Sequence, residues 1–295
     1  MKKNPTIFIL SVFLLLPAVS FAFDWKLLHE TADKNALSEV TESLAKNPDS
    51  IEDLYLLGLI NLNLGKAGSA GAAFEDILKL DPGSVAAFWG RAEVLRRQHK
   101  LSESQKILEE CLKSDPEFFP AYNSLAYIMY TRLKFNDAVK LALKVIAAGQ
   151  EGVDLSNYVR AILIYAGSKG MIAHAGGVVS KLVNGTAIYP NLKKAEKLKP
   201  KDPGVLFGLG SFYLLAPVVA GGNLSRALDY LERCLDADPG FADAFVRLAQ
   251  LYKAKGDLNK YALYMDKAFA LDPENELALD IQSGKCDFIC NVGKK

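Results

Sequence analysis

Apolar residues recur every three or four positions in a series of runs along this chain, the spacing of helices that bury one face. Short polar breaks separate the runs, and six of them end in proline: Pro48, Pro82, Pro116, Pro200, Pro239 and Pro273. Pro48, Pro82 and Pro116 stand 34 residues apart, and so do Pro239 and Pro273. A period of 34 holds two helices and their turns. Within the unit after Pro48, Leu54, Leu57 and Gly58 belong to a first helix, Gly65-Lys66 to a turn, and Ala70, Phe74 and Ile77 to a second helix. After Pro82 the equivalents are Phe88, Ala92 and Leu95, then Leu108 and Cys111. After Pro116 they are Tyr122, Leu125, Ala126 and Met129, then Ala138, Ala142 and Val145. The unit after Pro239 repeats the pattern with Phe245, Leu248, Ala249 and Tyr252, the turn Gly256-Asp257, then Ala268.

At these residues the chain closely resembles the tetratricopeptide-repeat superfamily. The resemblance implies an all-α fold, a right-handed solenoid of stacked antiparallel helix pairs. Residues 23–48 are then an incomplete N-terminal helical unit, with Ala36, Val40 and Leu44 on its second helix, and residues 51–152 are three regular units. Residues 153–202 form an irregular unit, residues 203–275 two further units, and residues 276–295 a C-terminal capping helix and tail.

The period breaks twice. Pro116 to Pro200 exceeds two periods by 16 residues, assigned to a glycine-rich insert over 167–190, and Pro200 to Pro239 exceeds one period by 5, assigned to a loop insert over 216–222. Long loops inside a repeat array are usually functional or mobile, because a plain turn suffices for packing. The block from Asn191 to Leu235, with its Leu-Leu-Ala-Pro helix end and Ala-Gly-Gly loop, is similar to small exported repeat proteins, including the T-component associated with some tripartite periplasmic (TRAP) transporters. That likeness covers one unit and implies no residue roles.

Lys2 and Lys3, the apolar run Ile7 to Leu16, Pro17 and the Ser20-Phe21-Ala22 end read as a signal peptide over 1–22 that is cleaved near Ala22. Export places the mature protein in the periplasm or outside the cell, without stable membrane insertion. It also permits disulfides among Cys111, Cys234, Cys286 and Cys290. Cys111 and Cys234 fall at small buried helix positions and need no partner. Cys286 and Cys290 can bridge only where their segment is not a regular helix. With Lys+Arg 35 against Asp+Glu 34, the net charge of +1 gives no basis for nucleic-acid binding.

No Gly-x-Ser-x-Gly elbow, His-Glu-x-x-His zinc motif or phosphate-binding loop occurs, and the three histidines are scattered. The chain is therefore expected to be non-enzymatic, with no metal and no cofactor. In a helical solenoid the first helix of each pair lines a concave face, the usual binding surface. Counting along the repeat, that face holds Tyr55, Leu59, Leu62, Trp89, Glu93, Arg96, Asn123, Tyr127, Tyr130, Phe207 and Ser211. The family's peptide-carboxylate clamp needs Lys, Arg and Asn where this chain has Tyr55, Leu59, Gly90, Pro120 and Ser124, which disfavours that mode. The expectation is an adaptor or scaffold that holds a protein or extended peptide through this aromatic face. The alternative is a small-molecule-binding or transport-accessory protein in which the inserts line an apolar pocket.

Overall fold

The Asp-Pro signatures become turns because each aspartate carboxylate accepts a hydrogen bond from the backbone N–H two residues on. Asp81 accepts from Gly83 at 3.0 Å, Asp115 from Glu117 at 2.9 Å and Asp238 from Gly240 at 2.9 Å. This Asx geometry stops one helix and aims the chain at the next. Ser50, Ser84, Asp154 and Asp202 then cap the following helix by accepting from Asp53, Ala87, Asn157 and Val205.

The computed structural model describes residues 24–34 and 36–290, and among these it is helical with one 3₁₀ turn and no strand. The helices are α1 (Trp25–Ala32), α2 (Leu37–Lys46), α3 (Ile51–Asn63), α4 (Ala67–Leu80), α5 (Val85–Arg97), α6 (Leu101–Ser114), α7 (Phe119–Thr131) and α8 (Phe135–Gly152). They continue with α9 (Leu155–Ala175), α10 (Val178–Gly185), α11 (Ile188–Leu198), α12 (Pro203–Leu215), α13 (Leu224–Ala237), α14 (Ala242–Ala254), α15 (Leu258–Leu271) and α16 (Glu276–Ser283). From α3 to α8, and again from α12 to α15, consecutive helices pair and stack as a solenoid. Residues 1–22, expected to be a signal peptide, lie outside the described residues.

Close approach between units is made by one aromatic ring. Phe74 of α4 is fully buried, and a Cβ at Gly58 or Gly90 would stand only 2.5 or 2.4 Å from its ring. The ring therefore packs between the first helices of two successive units, and only glycine at both positions admits it.

The turn inside a pair needs one residue in the left-handed region. Gly65 (φ 72°) and Gly256 (φ 81°) supply it, but the equivalent places after α5 and α7 hold His99 (φ 57°) and Leu133 (φ 61°), where a side chain is strained.

The stretch 167–190, expected as a glycine-rich loop, is largely helical. Gly167 and Gly170 lie inside α9, which runs 21 residues, and Val178–Gly185 forms α10. The helix continues because Ala161, Ile162, Ala166, Met171 and Ala173 keep an apolar stripe buried along it. Helix α11 then completes the pair that α9 began. The 216–222 insert does form a loop, with a 3₁₀ turn at Val218–Ala220 and Gly221 at φ 101°. Ala36 stands at the N-cap of α2, one place before the helix on which it was expected, while Val40 is buried within it.

The tail after α16 leaves helical geometry at Gly284, which has φ 72°. Cys286 and Cys290 form a disulfide there with a Cα–Cα distance of 5.1 Å. Cys111 and Cys234 are free and buried.

Candidate functional site

The first helices of four successive pairs bring positions 34 residues apart into register: Tyr55 on α3, Trp89 on α5, Asn123 on α7 and Asn157 on α9. One rung further along lie Leu59, Glu93 and Tyr127, and then Leu62, Arg96 and Tyr130. The structure thus gathers nine of the residues expected on the concave face. It does not leave that face open. Tyr55, Leu59, Leu62, Trp89, Glu93 and Asn123 are all buried, which corrects the expectation of an accessible aromatic groove.

Helix α1 fills one end of the groove. Trp25 meets Phe118 and Phe119 at ring-centroid distances of 5.5 and 6.5 Å, and His29 meets Trp89 at 5.2 Å. His29 Nε2 lies 2.9 Å from Tyr55 Oη, and its Nδ1 lies 3.1 Å from Asn157 Nδ2. Asn157 Nδ2 also donates to the Asp154 carboxylate at 2.8 Å, which fixes the amide orientation. His29 Nδ1 therefore accepts, Nε2 carries the proton and donates to Tyr55, and the ring is neutral. Burial also pushes the His29 pKa below its ordinary value. Lys26 ties α1 to the end of α8 by donating to the carbonyls of Gln150 at 3.1 Å and Glu151 at 2.7 Å. Lys199 donates to Asp33, at the end of α1, at 3.0 Å.

The C-terminal tail covers the other end. Phe288 stacks on Tyr130 with centroids 5.7 Å apart, and Gln250 Nε2 donates to the carbonyls of Ile289 at 3.0 Å and Cys290 at 3.2 Å. Arg247, on the same helix, donates to Ile289 at 3.2 Å. Between the two covers lies an ion cluster. Glu93, 2% exposed, accepts both Nε and Nη2 of Arg96 at 3.0 Å, with Arg160 at 3.6 Å. Burial alone would raise the Glu93 pKa, but Arg96 and Arg160 hold its carboxyl well below the usual range. The Arg96 guanidinium sits 4.5 Å over the Tyr127 ring.

Phe207 and Ser211 lie apart from this cluster on α12. Phe207 is half-buried against Phe241 at 5.1 Å. Ser211 Oγ is buried with no hydrogen-bond partner among the described residues.

Two shallow surface grooves lie beside Leu133. One groove of about 420 Å³ runs from Leu133–Asp137 to Ile172, Ala175, Gly176 and Ser180. A second, of about 430 Å³, lies between Thr131–Leu133 and the C-terminal elements, with Leu279 and Phe288 as apolar lining and Glu276, Asp280, Lys285 and Asp287 as polar lining. Leu133 belongs to both. Sequence reasoning missed these grooves. The signal available was a leucine at a turn position that other repeats give to glycine. Among the described residues no cluster of three or more His, Cys, Asp or Glu side chains is placed to hold a metal, and no helix is long and apolar enough to cross a membrane.

Two stretches match tetratricopeptide repeat families, residues 54–84 and 219–260. A tetratricopeptide repeat and J domain-containing co-chaperone, DNJ1, from Cryptococcus neoformans is 22% identical over 218 residues, covering 72% of this chain. This chain spans 39% of that protein's length. Among solved structures, the APC/C hetero-tetramer Cut9-Hcn1 matches with a TM-score of 0.58 at 16% identity, over 86% of this chain and 46% of the matched one. A tetratricopeptide repeat protein from Parabacteroides merdae matches with a TM-score of 0.52 at 16% identity, over 86% of this chain and 95% of the other. The two matched stretches are tetratricopeptide repeats, and the solved neighbours share the fold of stacked helix pairs.

Proposed function

We propose that this chain is an exported, non-enzymatic scaffold that captures a protein or extended peptide at the edge beside Leu133, working in the periplasm or outside the cell after loss of residues 1–22. The observation that carries the reading is the pair of open grooves meeting at Leu133, while the concave face is occupied by the chain's own α1 and C-terminal tail. Helix α1 and the tail around Phe288 thereby rigidify the interior, and a rigid body with a half-apolar edge groove suits capture of a peptide with little reorganisation. The lining of Leu133, Leu279 and Phe288 offers side-chain pockets, and Glu276 and Asp287 offer acceptors at the rim.

A second reading is a transport-accessory protein that holds an apolar small molecule. It is favoured by the 420 Å³ groove, since the residues around α10, part of the first insert, line it together with Phe135 and Ile172.

Native mass spectrometry of the protein purified gently from its own exported fraction separates the readings. A stoichiometric protein partner, lost in Leu133→Glu, supports the scaffold. A small added mass released on unfolding supports the accessory protein and removes the scaffold reading.

A further inference from the structure

The two period-breaking inserts are linked through one aromatic cluster. Helix α10 follows the C-terminal end of α9, and the 3₁₀ turn follows the C-terminal end of α12, the first helix of the next pair. Tyr189, at the start of α11, joins them. Its ring lies 5.2 Å from Phe212, and its hydroxyl lies 3.3 Å from that of Tyr213, both in the last turn before the loop.

Each insert spends its apolar residues on solvent. Val178, Val179, Leu182 and Val183 are 64–75% exposed on α10, and Val218 and Val219 are 82% and 99% exposed on the loop. No fold requirement explains this, because Ser180, between them, is the residue that turns inward and donates to Ile172 O. Contiguous aliphatic exposure of this kind marks a contact surface.

Around the patch the unpaired charge is positive, because the bordering carboxylates Glu196 and Asp229 are paired with Lys193 and Arg233. The cations left without a carboxylate partner there include Lys169 beside α10, Lys181 on α10 and Arg226 after the loop, whereas Arg160 belongs to the buried Glu93 cluster. The nearest acidic group on the neighbouring turn, Asp137, is paired with Lys140 at 3.3 Å. Exposed aliphatic side chains on two short elements, with Lys169, Lys181 and Arg226 nearby, are complementary to acyl chains beneath anionic headgroups. A protein partner would more commonly meet aromatic and arginine anchors set in a pocket.

We propose that the inserts at 176–190 and 216–222 form a peripheral membrane-contact surface for an anionic lipid leaflet, with Val178, Val179, Leu182, Val183, Val218 and Val219 entering the interface. This goes beyond partner capture at Leu133 and stands whether or not that capture occurs.

The test uses the full chain with an environment-sensitive nitrobenzoxadiazole label on Val179→Cys, on Val219→Cys or on the remote Ser38→Cys. The native thiols are buried or disulfide-bonded and do not compete. With phosphatidylglycerol vesicles, the labels at 179 and 219 should shift to the blue and brighten several-fold, while the label at 38 stays aqueous. The leader cannot mimic this difference between sites. Lys169→Gln/Lys181→Gln should reduce the response. Labels at 179 and 219 that stay aqueous overturn the proposal, as does an equal shift with phosphatidylcholine. A shift produced only by concentrating the protein without vesicles also overturns it, in favour of a protein occupant.

Discussion

His29 on α1 donates through Nε2 to the Tyr55 hydroxyl on α3 at 2.9 Å, and this contact seats the first helix in the groove that the following repeats create. The groove is therefore an interior, and its polar groups follow the rules of buried groups.

The first prediction concerns acid. Burial lowers the folded pKa of His29 below 6.5, so between that folded value and 6.5 the unfolded chain binds more protons than the folded one. The stability that neutral His29 contributes is present above pH 6.5 and is lost as pH falls through that window. The protection factor of α1 amides, taken relative to intrinsic exchange, should be lower at pH 5 than at pH 7, with a smaller change in α3, and His29→Gln should weaken the acid effect.

His99 behaves with the opposite sign. Burial would lower its pKa, but hydrogen bonds to Glu276 and Asp272, each at 3.0 Å, outweigh it and raise the value. Its contribution is complete below pH 6.5 and disappears as pH rises through the folded pKa. The protection factor of α16 amides should therefore fall as pH rises above 6.5 through the raised folded pKa. His99→Gly should remove that dependence while relieving the strained φ of 57°.

Replacing Glu93 by Gln leaves Arg96 and Arg160 without their buried counter-charge. Breaking such a pair costs about 3–5 kcal/mol, which urea denaturation should register as a lower midpoint. The double substitution Glu93→Leu/Arg96→Leu should recover part of that loss.

Gly90→Ala places a methyl group 2.4 Å from the Phe74 ring. Overpacking of this kind costs about 1–3 kcal/mol. Gly71→Ala, whose Cβ would meet Val94 at an ordinary 3.7 Å, should be neutral or stabilising in the same denaturation experiment.

Local periodicity made much of this fold legible. The 34-residue spacing of the prolines and the small residues opposite Phe74 are repeated instructions, each acting between neighbours in sequence. The closure of the groove is not of that kind. His29 pairs with Asn157 across 128 residues and Tyr130 with Phe288 across 158, contacts that depend on how far the solenoid winds. Counting along the repeat therefore placed Tyr55, Trp89 and Asn123 on the concave face but gave no sign that α1 would cover them. Gly167 and Gly170 read as loop residues because glycine is a poor helix former, yet the buried stripe of α9 overrides that preference. Leu133 escaped notice because its significance lies in the two grooves it separates.

Site-specific photo-crosslinking in the producing cells tests the central claim most directly, with benzoylphenylalanine placed at Leu133 on the open edge or at Leu27 on the exposed side of α1. A discrete protein adduct from position 133 and none from position 27 is the result expected of a scaffold that works at its edge with its interior sealed. An adduct from position 27 with none from position 133 would contradict it and return the binding role to the concave face.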